Sequence, residues 1–227
     1  MKLPGKIKNF LILIFLSILI SCASTTQTNL NKEKTITELK IAEDYNAGLL
    51  ALSLNDFSKA ERLLLRCVKY NYNLPFSYLY LGITYYKMKK YDLSEKYLKK
   101  ALEIKPDLTE AHNSLGAVYA AQKKYSLALD EFHKVLLDPG YLFPENALYN
   151  IALIYYHMGE YLKSIDYCNK TLVIVPKSPM VYYLIALNYV KLGKKKLAKK
   201  YLTDIIKNFP KSTWADVAKK YMKENKI

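Results

Sequence analysis

The sequence predicts an all-α fold: a solenoid of about five helical hairpins that is closed by a C-terminal capping helix. Phe57, Tyr91, Tyr125 and Tyr161 recur at separations of 34, 34 and 36 residues, and Gly48, Gly82 and Gly116 repeat at 34 in step with them. A fixed period of this length is the signature of a stacked-repeat architecture. Between these positions, apolar residues follow the spacing of amphipathic helices, as with Leu81, Tyr85, Leu98 and Ala101.

The repeating unit has a small residue in its first half, an aromatic midway, a second small residue three positions later and a proline near its end. It resembles the tetratricopeptide repeat, a helix-turn-helix pair. The resemblance implies a right-handed superhelical solenoid with repeats 1 to 5 at 41–74, 75–108, 109–144, 145–178 and 179–212. In this register small residues stand at the eighth place (Gly48, Gly82, Gly116, Ala152, Ala186) and at the twentieth (Ala60, Ser94, Ala128, Ser164, Ala198). Their size lets the two helices of a repeat approach closely.

The ends of the repeats and of the repeat domain also have sequence signals. Pro106, Pro176 and Pro210 stand where each second helix should stop, because proline lacks the N–H donor and clashes with the preceding turn. After the last repeat, apolar Trp214, Val217, Ala218 and Tyr221 alternate with lysines, which predicts a capping helix over 213–224. The repeat domain is therefore predicted to span 35–224.

The start of the chain resembles a bacterial lipoprotein signal. Lys2, Lys6 and Lys8 precede an apolar run over 10–20, and Leu19-Ile20-Ser21-Cys22 follows the lipobox pattern. The resemblance implies a signal peptide at 1–21, palmitate-type acylation of Cys22 and a lipid-anchored flexible tether at 22–34. Because Ala23 rather than aspartate follows the cysteine, it also implies the outer membrane, periplasmic face. An uncleaved membrane anchor is the alternative.

Charge and cysteines restrict the partners. The formal net charge is +15, mostly from lysines assigned to outer helix faces and turns. No recognised nucleic-acid motif accompanies this charge, so a solvated face attracted to anionic lipid or to an acidic partner is favoured over nucleic acid. Cys67 and Cys168 are predicted to be buried thiols, and no metal-binding spacing is present.

The sequence favours a non-enzyme without cofactor or small-molecule substrate. It has no glycine-rich phosphate loop, no nucleophile elbow and no Ser-His-Asp set that a repeat would bring together. Asp130 and His133, with Glu131 beside them, share one helix face and could in principle bind a metal. A solvated outer face is the preferred interpretation of these three residues.

The tetratricopeptide resemblance assigns a binding groove. In that family, places two, five, six, nine and twelve of each first helix face the concave surface. Here they give an aromatic and aliphatic lining, which favours an apolar peptide docked as a helix or a strand. The alternative is that neighbouring repeats or the cap cover part of this lining. The predicted groove residues are Leu79, Tyr80, Ile83, Tyr86, Asn113, Tyr149, Asn150, Leu153, Tyr156, Tyr183, Leu184 and Leu187.

Repeat 3 carries a more specific resemblance. Its end, Leu137-Asp138-Pro139-Gly140-Tyr141-Leu142-Phe143-Pro144-Glu145, is two residues longer than its siblings, and Tyr149-Asn150 follows. With Asn113 and Gly116 upstream, this resembles the type IV pilus biogenesis lipoproteins of the PilW/PilF/Tgl family. The matching turn residues are Pro139, Tyr141, Pro144 and Glu145. The chain departs from the family pattern at Ser114, Asp138 and Ala152.

This second resemblance implies a pilotin, an outer-membrane lipoprotein that binds secretin subunits and promotes their assembly. Lipid anchoring would concentrate the adaptor near its client. A different resemblance competes: Asn208-Phe209-Pro210-Lys211-Ser212 before Trp214 is similar to repeats of outer-membrane assembly lipoproteins such as BamD. A general structural scaffold of the envelope is the third hypothesis.

Overall fold

A computed structural model describes residue 35 and residues 37–226 of the chain. The predicted signal peptide, the lipidation site Cys22 and the tether therefore lie outside the described residues. The described residues form helices joined by turns, without a β-strand, so the all-α prediction is confirmed for this part of the chain. Within the same part, no helix is both long and apolar enough to cross a bilayer.

Eleven helices occupy the described residues. Their bounds are 37–53 for α1, Phe57–Lys69 for α2, Leu74–Lys87 for α3, Tyr91–Ile104 for α4, Thr109–Ala121 for α5, Tyr125–Leu136 for α6, Pro144–His157 for α7, Tyr161–Ile174 for α8, Pro179–Lys191 for α9, Lys195–Asn208 for α10 and Thr213–Asn225 for α11. The chain divides into two compact units within α3, unit 1 ending at Ser77 and unit 2 beginning at Tyr78.

Unit 1 contains α1, α2 and the first turn of α3. Its core includes Ile41, Ala60 and Leu64. Asp44 on α1 forms an ion pair with Arg66 on α2 at 3.0 Å, and the buried Cys67 thiol lies 3.7 Å from the carbonyl oxygen of Ile41. The α2 helix begins with a capped turn, because the Asp56 side chain accepts a hydrogen bond from the Lys59 amide at 3.1 Å.

In unit 2 each helix from α4 onward packs on the next one along the chain, and α9 also contacts α11. The two helices of a hairpin pack closely because the residue at the eighth place of a repeat contacts the residue at the twenty-fourth place. A Cβ placed on Gly82 would lie 2.5 Å from Leu98 Cγ, and one on Gly116 would lie 2.9 Å from Phe132 Cε1. The same two places bring Ala152 into one core cluster with Cys168. Small residues at the eighth place therefore do set how closely the helices approach.

The turn inside each hairpin contains one residue in the left-handed region. The residues at the fifteenth place are Asn55, Lys89, Lys123, Gly159 and Gly193, with φ of 60°, 59°, 59°, 81° and 71°. Only two of the five are glycine, so the two lysines hold a backbone conformation that side chains disfavour.

Stacked tyrosines join the two helices of a repeat. Tyr85 stacks on Tyr97 with ring centroids 5.3 Å apart, and Tyr155 stacks on Tyr167 at 5.5 Å. Lysine ammonium groups lie over these rings, the nearest being Lys170 over Tyr167 at 4.3 Å. Some of the surface lysines therefore interact with aromatic rings as well as with solvent.

Candidate protein-binding groove

The first helices of successive repeats form a continuous surface in unit 2, which we call the first-helix face. Contacts of α5 with α7, of α7 with α9 and of α9 with α11 make it continuous. Most of the predicted groove residues are partly exposed on their helices: Tyr80, Ile83, Tyr86, Asn113, Tyr149, Asn150, Leu153, Tyr156, Tyr183 and Leu187.

Two predicted groove residues belong to the core instead. Leu79 and Leu184 are each only 2% exposed. Leu184 is in the cluster that also contains Ala152, Cys168 and Val181. The prediction is wrong for this pair, because their side chains are covered by packed neighbours and a partner could not reach them without opening the stack.

A group of large aromatic side chains lies at the C-terminal end of the first-helix face. The Tyr183 ring on α9 contacts Trp214 at 5.4 Å and Tyr221 at 5.8 Å between centroids, both from α11. Burial raises the pKa of the Tyr183 hydroxyl, and the nearby hydroxyls of Tyr221 and Tyr156 raise it further. We call Tyr156, Tyr183, Trp214 and Tyr221 the aromatic cluster; all four are partly exposed.

The aromatic cluster changes the predicted role of the last helix. Trp214 and Tyr221 were assigned to a cap, yet they occupy the second and ninth places of a further first helix. The register of the repeat, extended past 212, would have indicated this. The cap therefore covers part of Tyr183 and also contributes its own rings to the same face.

A depression of about 230 Å³ interrupts the first-helix face between α3, α5 and α7. It is lined by three small side chains of repeat 3, Ala117, Ala120 and Ala121, and by larger ones that include Tyr86 and Leu153. The sequence prediction missed these alanines because it looked for large apolar side chains. The sequence could have indicated them, because repeat 3 has Ala117 and Ala120 at the places where repeat 2 has the larger Ile83 and Tyr86.

Three further predicted residues have distinct environments. Tyr149 packs against the core cluster of repeats 4 and 5, and burial raises its pKa to about 12. The Tyr149 ring therefore belongs mainly to the core and is less available to a binding partner. The side-chain oxygen of Asn113 is buried without a hydrogen-bond partner among the described residues, whereas Asn150 lines the depression.

The turn residues that match the pilus family lie apart from this lining. Asp138 organises the turn: its carboxylate accepts hydrogen bonds from the Thr109 hydroxyl and, at 2.9 Å, from the Gly140 amide. Pro139 is exposed, Tyr141 contacts Phe143 edge to face at 6.3 Å, and Pro144 begins α7 with Glu145 in its first turn.

Of the three α6 residues for which the sequence suggested a solvated face, Asp130 and His133 are exposed, whereas Glu131 is buried. Glu131 is 9% exposed and pairs with both His112 and Lys134. His112 also contacts the Pro106 carbonyl oxygen at 2.8 Å, and His133 contacts the Tyr167 hydroxyl at 3.2 Å. Glu131 is thus a structural partner of His112, and residues 37–226 hold no cluster of three metal-ligating side chains.

Comparison with known families identifies the hairpins. Tetratricopeptide-repeat family models match residues 75–108, 145–172 and 180–212. The chain contains tetratricopeptide repeats. No curated protein sequence matches it.

Solved structures agree on the fold of these tetratricopeptide repeats. A crystal structure of MamA is 25% identical, covers 74% of this chain and 90% of its own, and superposes with a TM-score of 0.63. MamA from Desulfovibrio magneticus RS-1 is 22% identical, with 74% and 94% coverage and a TM-score of 0.66. Another MamA crystal structure is 26% identical, with 70% and 92% coverage and a TM-score of 0.62.

The repeats define the general function of the chain. Stacked repeats present extended surfaces on which other proteins bind, so this chain is a protein–protein interaction scaffold. Scaffolds of this kind are typically non-enzymatic. The comparisons give no support to the PilW/PilF/Tgl resemblance, since they match the repeats and not the pilus family.

Proposed function

We propose that the first-helix face of unit 2 binds an apolar segment of a partner protein, with the aromatic cluster as its main contact. The observation that carries this proposal is the cluster itself, in which four large rings from α7, α9 and α11 remain partly exposed together. Rigid aromatic rings provide contact area at a low cost in side-chain entropy. Such residues commonly dominate the energy of protein interfaces.

The depression lined by Ala117 and Ala120 fits the same proposal. At about 230 Å³ it is smaller than the roughly 300–1,000 Å³ pockets that enclose drug-sized ligands. A volume of this size suits a single apolar side chain. A bound segment would therefore place one side chain between Tyr86 and Leu153 and rest its remainder on the aromatic cluster.

Trp214 provides the test, because it is the only tryptophan in the chain. Synthetic amphipathic peptides with one apolar face are added to the full chain, and the tryptophan emission is recorded. We expect binding to shift the emission, and Tyr156→Ala with Tyr221→Ala to weaken binding about tenfold or more. Tyr97→Ala, a half-buried tyrosine on the second helix α4, is the matched control. If no apolar peptide changed the tryptophan emission, the proposed binding groove would be refuted.

The finer proposal is that the partner is a secretin subunit and that the chain is an outer-membrane lipoprotein of the pilotin type. It is supported by the Leu19-Ile20-Ser21-Cys22 segment and by the turn around Pro139 and Tyr141. We expect Cys22→Ala to leave unlipidated precursor in mass spectrometry of membrane fractions. Normal secretin multimers in cells with the double tyrosine variant would contradict the pilotin role. If the chain captured barrel-assembly proteins from a membrane extract in place of a secretin, the alternative role as a scaffold of outer-membrane protein assembly would be favoured.

A further inference from the structure

The turn between α6 and α7, residues 137–143, is longer than the other connections between repeats. It has seven residues, whereas α4 and α5 are joined by the four residues 105–108 and α8 and α9 by 175–178. Part of the difference comes from α6, which has 12 residues where α4 and α8 have 14. We call residues 137–143 the long turn.

The long turn is held in a defined conformation. Asp138 accepts hydrogen bonds from Thr109 on α5 and from the Gly140 amide, and its own carbonyl oxygen accepts one from the Tyr141 amide at 3.2 Å. The hydrogen bond from Thr109, followed by that from Gly140, lowers the pKa of the Asp138 carboxyl. The turn is thus tied to the first helix of its own repeat, which limits the entropy that a binding partner would have to remove.

The long turn carries three large apolar side chains that are exposed. Leu137 and Leu142 are each 80% exposed, and Phe143 is 54% exposed. Beside Leu142 and Phe143 lies a cavity of about 380 Å³, which the long turn forms with residues 105–110. An exposed leucine and phenylalanine next to an open cavity, with a second exposed leucine in the same turn, are typical of a surface that another molecule covers.

The charged residues that line this cavity indicate which kind of partner would bind there. The cavity is lined by Asp107, Glu110 and Asp138 against a single lysine, Lys105. The chain as a whole carries a net charge of +15, so this negative patch contrasts with the rest of the surface. An acidic segment would be repelled here and attracted elsewhere, whereas a basic one would be directed to this cavity.

We propose that the long turn and its cavity form a second docking site, separate from the first-helix face, for a partner segment in which lysine or arginine flanks large apolar residues. The apolar residues of that segment cover Leu142 and Phe143. Its basic side chains lie against Asp107 and Glu110. The apolar contacts supply most of the affinity, because exposed ion pairs contribute little, and the charges supply selectivity.

The test compares two fluorescein-labelled peptides by anisotropy with the full chain. Both have a Leu-Phe-Leu centre; lysines flank it in one and glutamates in the other. We expect the lysine peptide to bind about tenfold more tightly. Leu142→Ser with Phe143→Ser should weaken it about tenfold or more, and Asp107→Asn with Glu110→Gln should remove the preference between the peptides.

Controls separate this site from the first-helix face. Leu127→Ser with Leu162→Ser replaces two exposed leucines of second helices, 46% and 66% exposed, and should leave affinity within about twofold. Circular dichroism checks that each variant folds. Equal affinity for the two peptides, or no effect of the Leu142 and Phe143 changes, would overturn the proposal. Loss of lysine-peptide binding in Tyr156→Ala with Tyr221→Ala would assign the peptide to the first-helix face instead.

Discussion

Substitution of Gly116 tests whether the eighth place of a repeat limits how closely its helices pack. A methyl group there would lie 2.9 Å from Cε1 and 3.0 Å from Cζ of Phe132. Carbon atoms without a bond between them prefer about 3.5–4.0 Å, so the ring would have to move by about half an ångström. Phe132 is 0% exposed, so a shift of its ring would disturb the side chains packed around it.

The magnitude follows from two opposing terms. Overpacking a core typically costs about 1–3 kcal/mol, while alanine gains about 1 kcal/mol over glycine in helix propensity. We therefore expect Gly116→Ala to lower the free energy of unfolding by about 1 kcal/mol. Gly116→Leu, which adds three further carbons, should lower it by more than about 3 kcal/mol.

Gly48→Ala is the matched control at the same place of repeat 1. Its added Cβ would lie no closer than 3.2 Å to Leu64 Cγ, so the helix propensity and the contact should nearly cancel. Combining Gly116→Ala with Phe132→Leu should recover part of the loss, because it relieves the contact. Stability is read from urea unfolding followed by circular dichroism. An unchanged or raised midpoint for Gly116→Leu would refute the packing argument.

Three other outcomes are expected. Lys123→Gly should stabilise the fold by about 0.5–1 kcal/mol in thermal unfolding, because Lys123 has a φ of 59° where repeats 4 and 5 have glycine; Lys124→Gly, at the neighbouring residue, should not stabilise. Burial raises the pKa of the Cys168 thiol to about 12, so a maleimide reagent at pH 8 should modify it only after unfolding. Because the pKa of Asp138 is lowered in the folded state, the ionised carboxylate stabilises the fold at pH values above the pKa that Asp138 has in the unfolded chain. This stabilisation is lost as the pH falls through the lowered pKa of the folded state. The stability difference between the wild type and Asp138→Ala should then shrink below a pH of about 4.

Much of the fold was predictable because the repeat amplifies weak signals. One glycine at Gly82 says little, but the same place in repeats 1 and 3 also holds glycine, and steric contact with Leu98 and Phe132 explains why. The left-handed residue of each hairpin turn escaped prediction. Asparagine, lysine and glycine share that conformation here, so residue type alone did not mark it.

The candidate site was predictable only in part, because exposure depends on what packs across a helix. The groove register assigned both Tyr183 and Leu184 to the lining, but the neighbouring helices cover Leu184 and leave Tyr183 partly exposed. Pairs between helices were missed for the same reason. Tyr97 looks like an ordinary outer-face residue until the hairpin brings its ring against Tyr85.

Repeat 3 departs from its siblings at several places at once. Where repeats 2, 4 and 5 stack a tyrosine of the second helix on one of the first, repeat 3 has Glu131, which pairs with His112. Its first helix has Ala117 where repeat 2 has Ile83, which opens the depression, and its end forms the long turn. Departures from a regular repeat are expected where function, rather than stacking, selects the residue. Repeat 3 contributes to both proposed binding surfaces, so changes there should affect binding more than changes to the regular tyrosine pairs of repeats 2, 4 and 5.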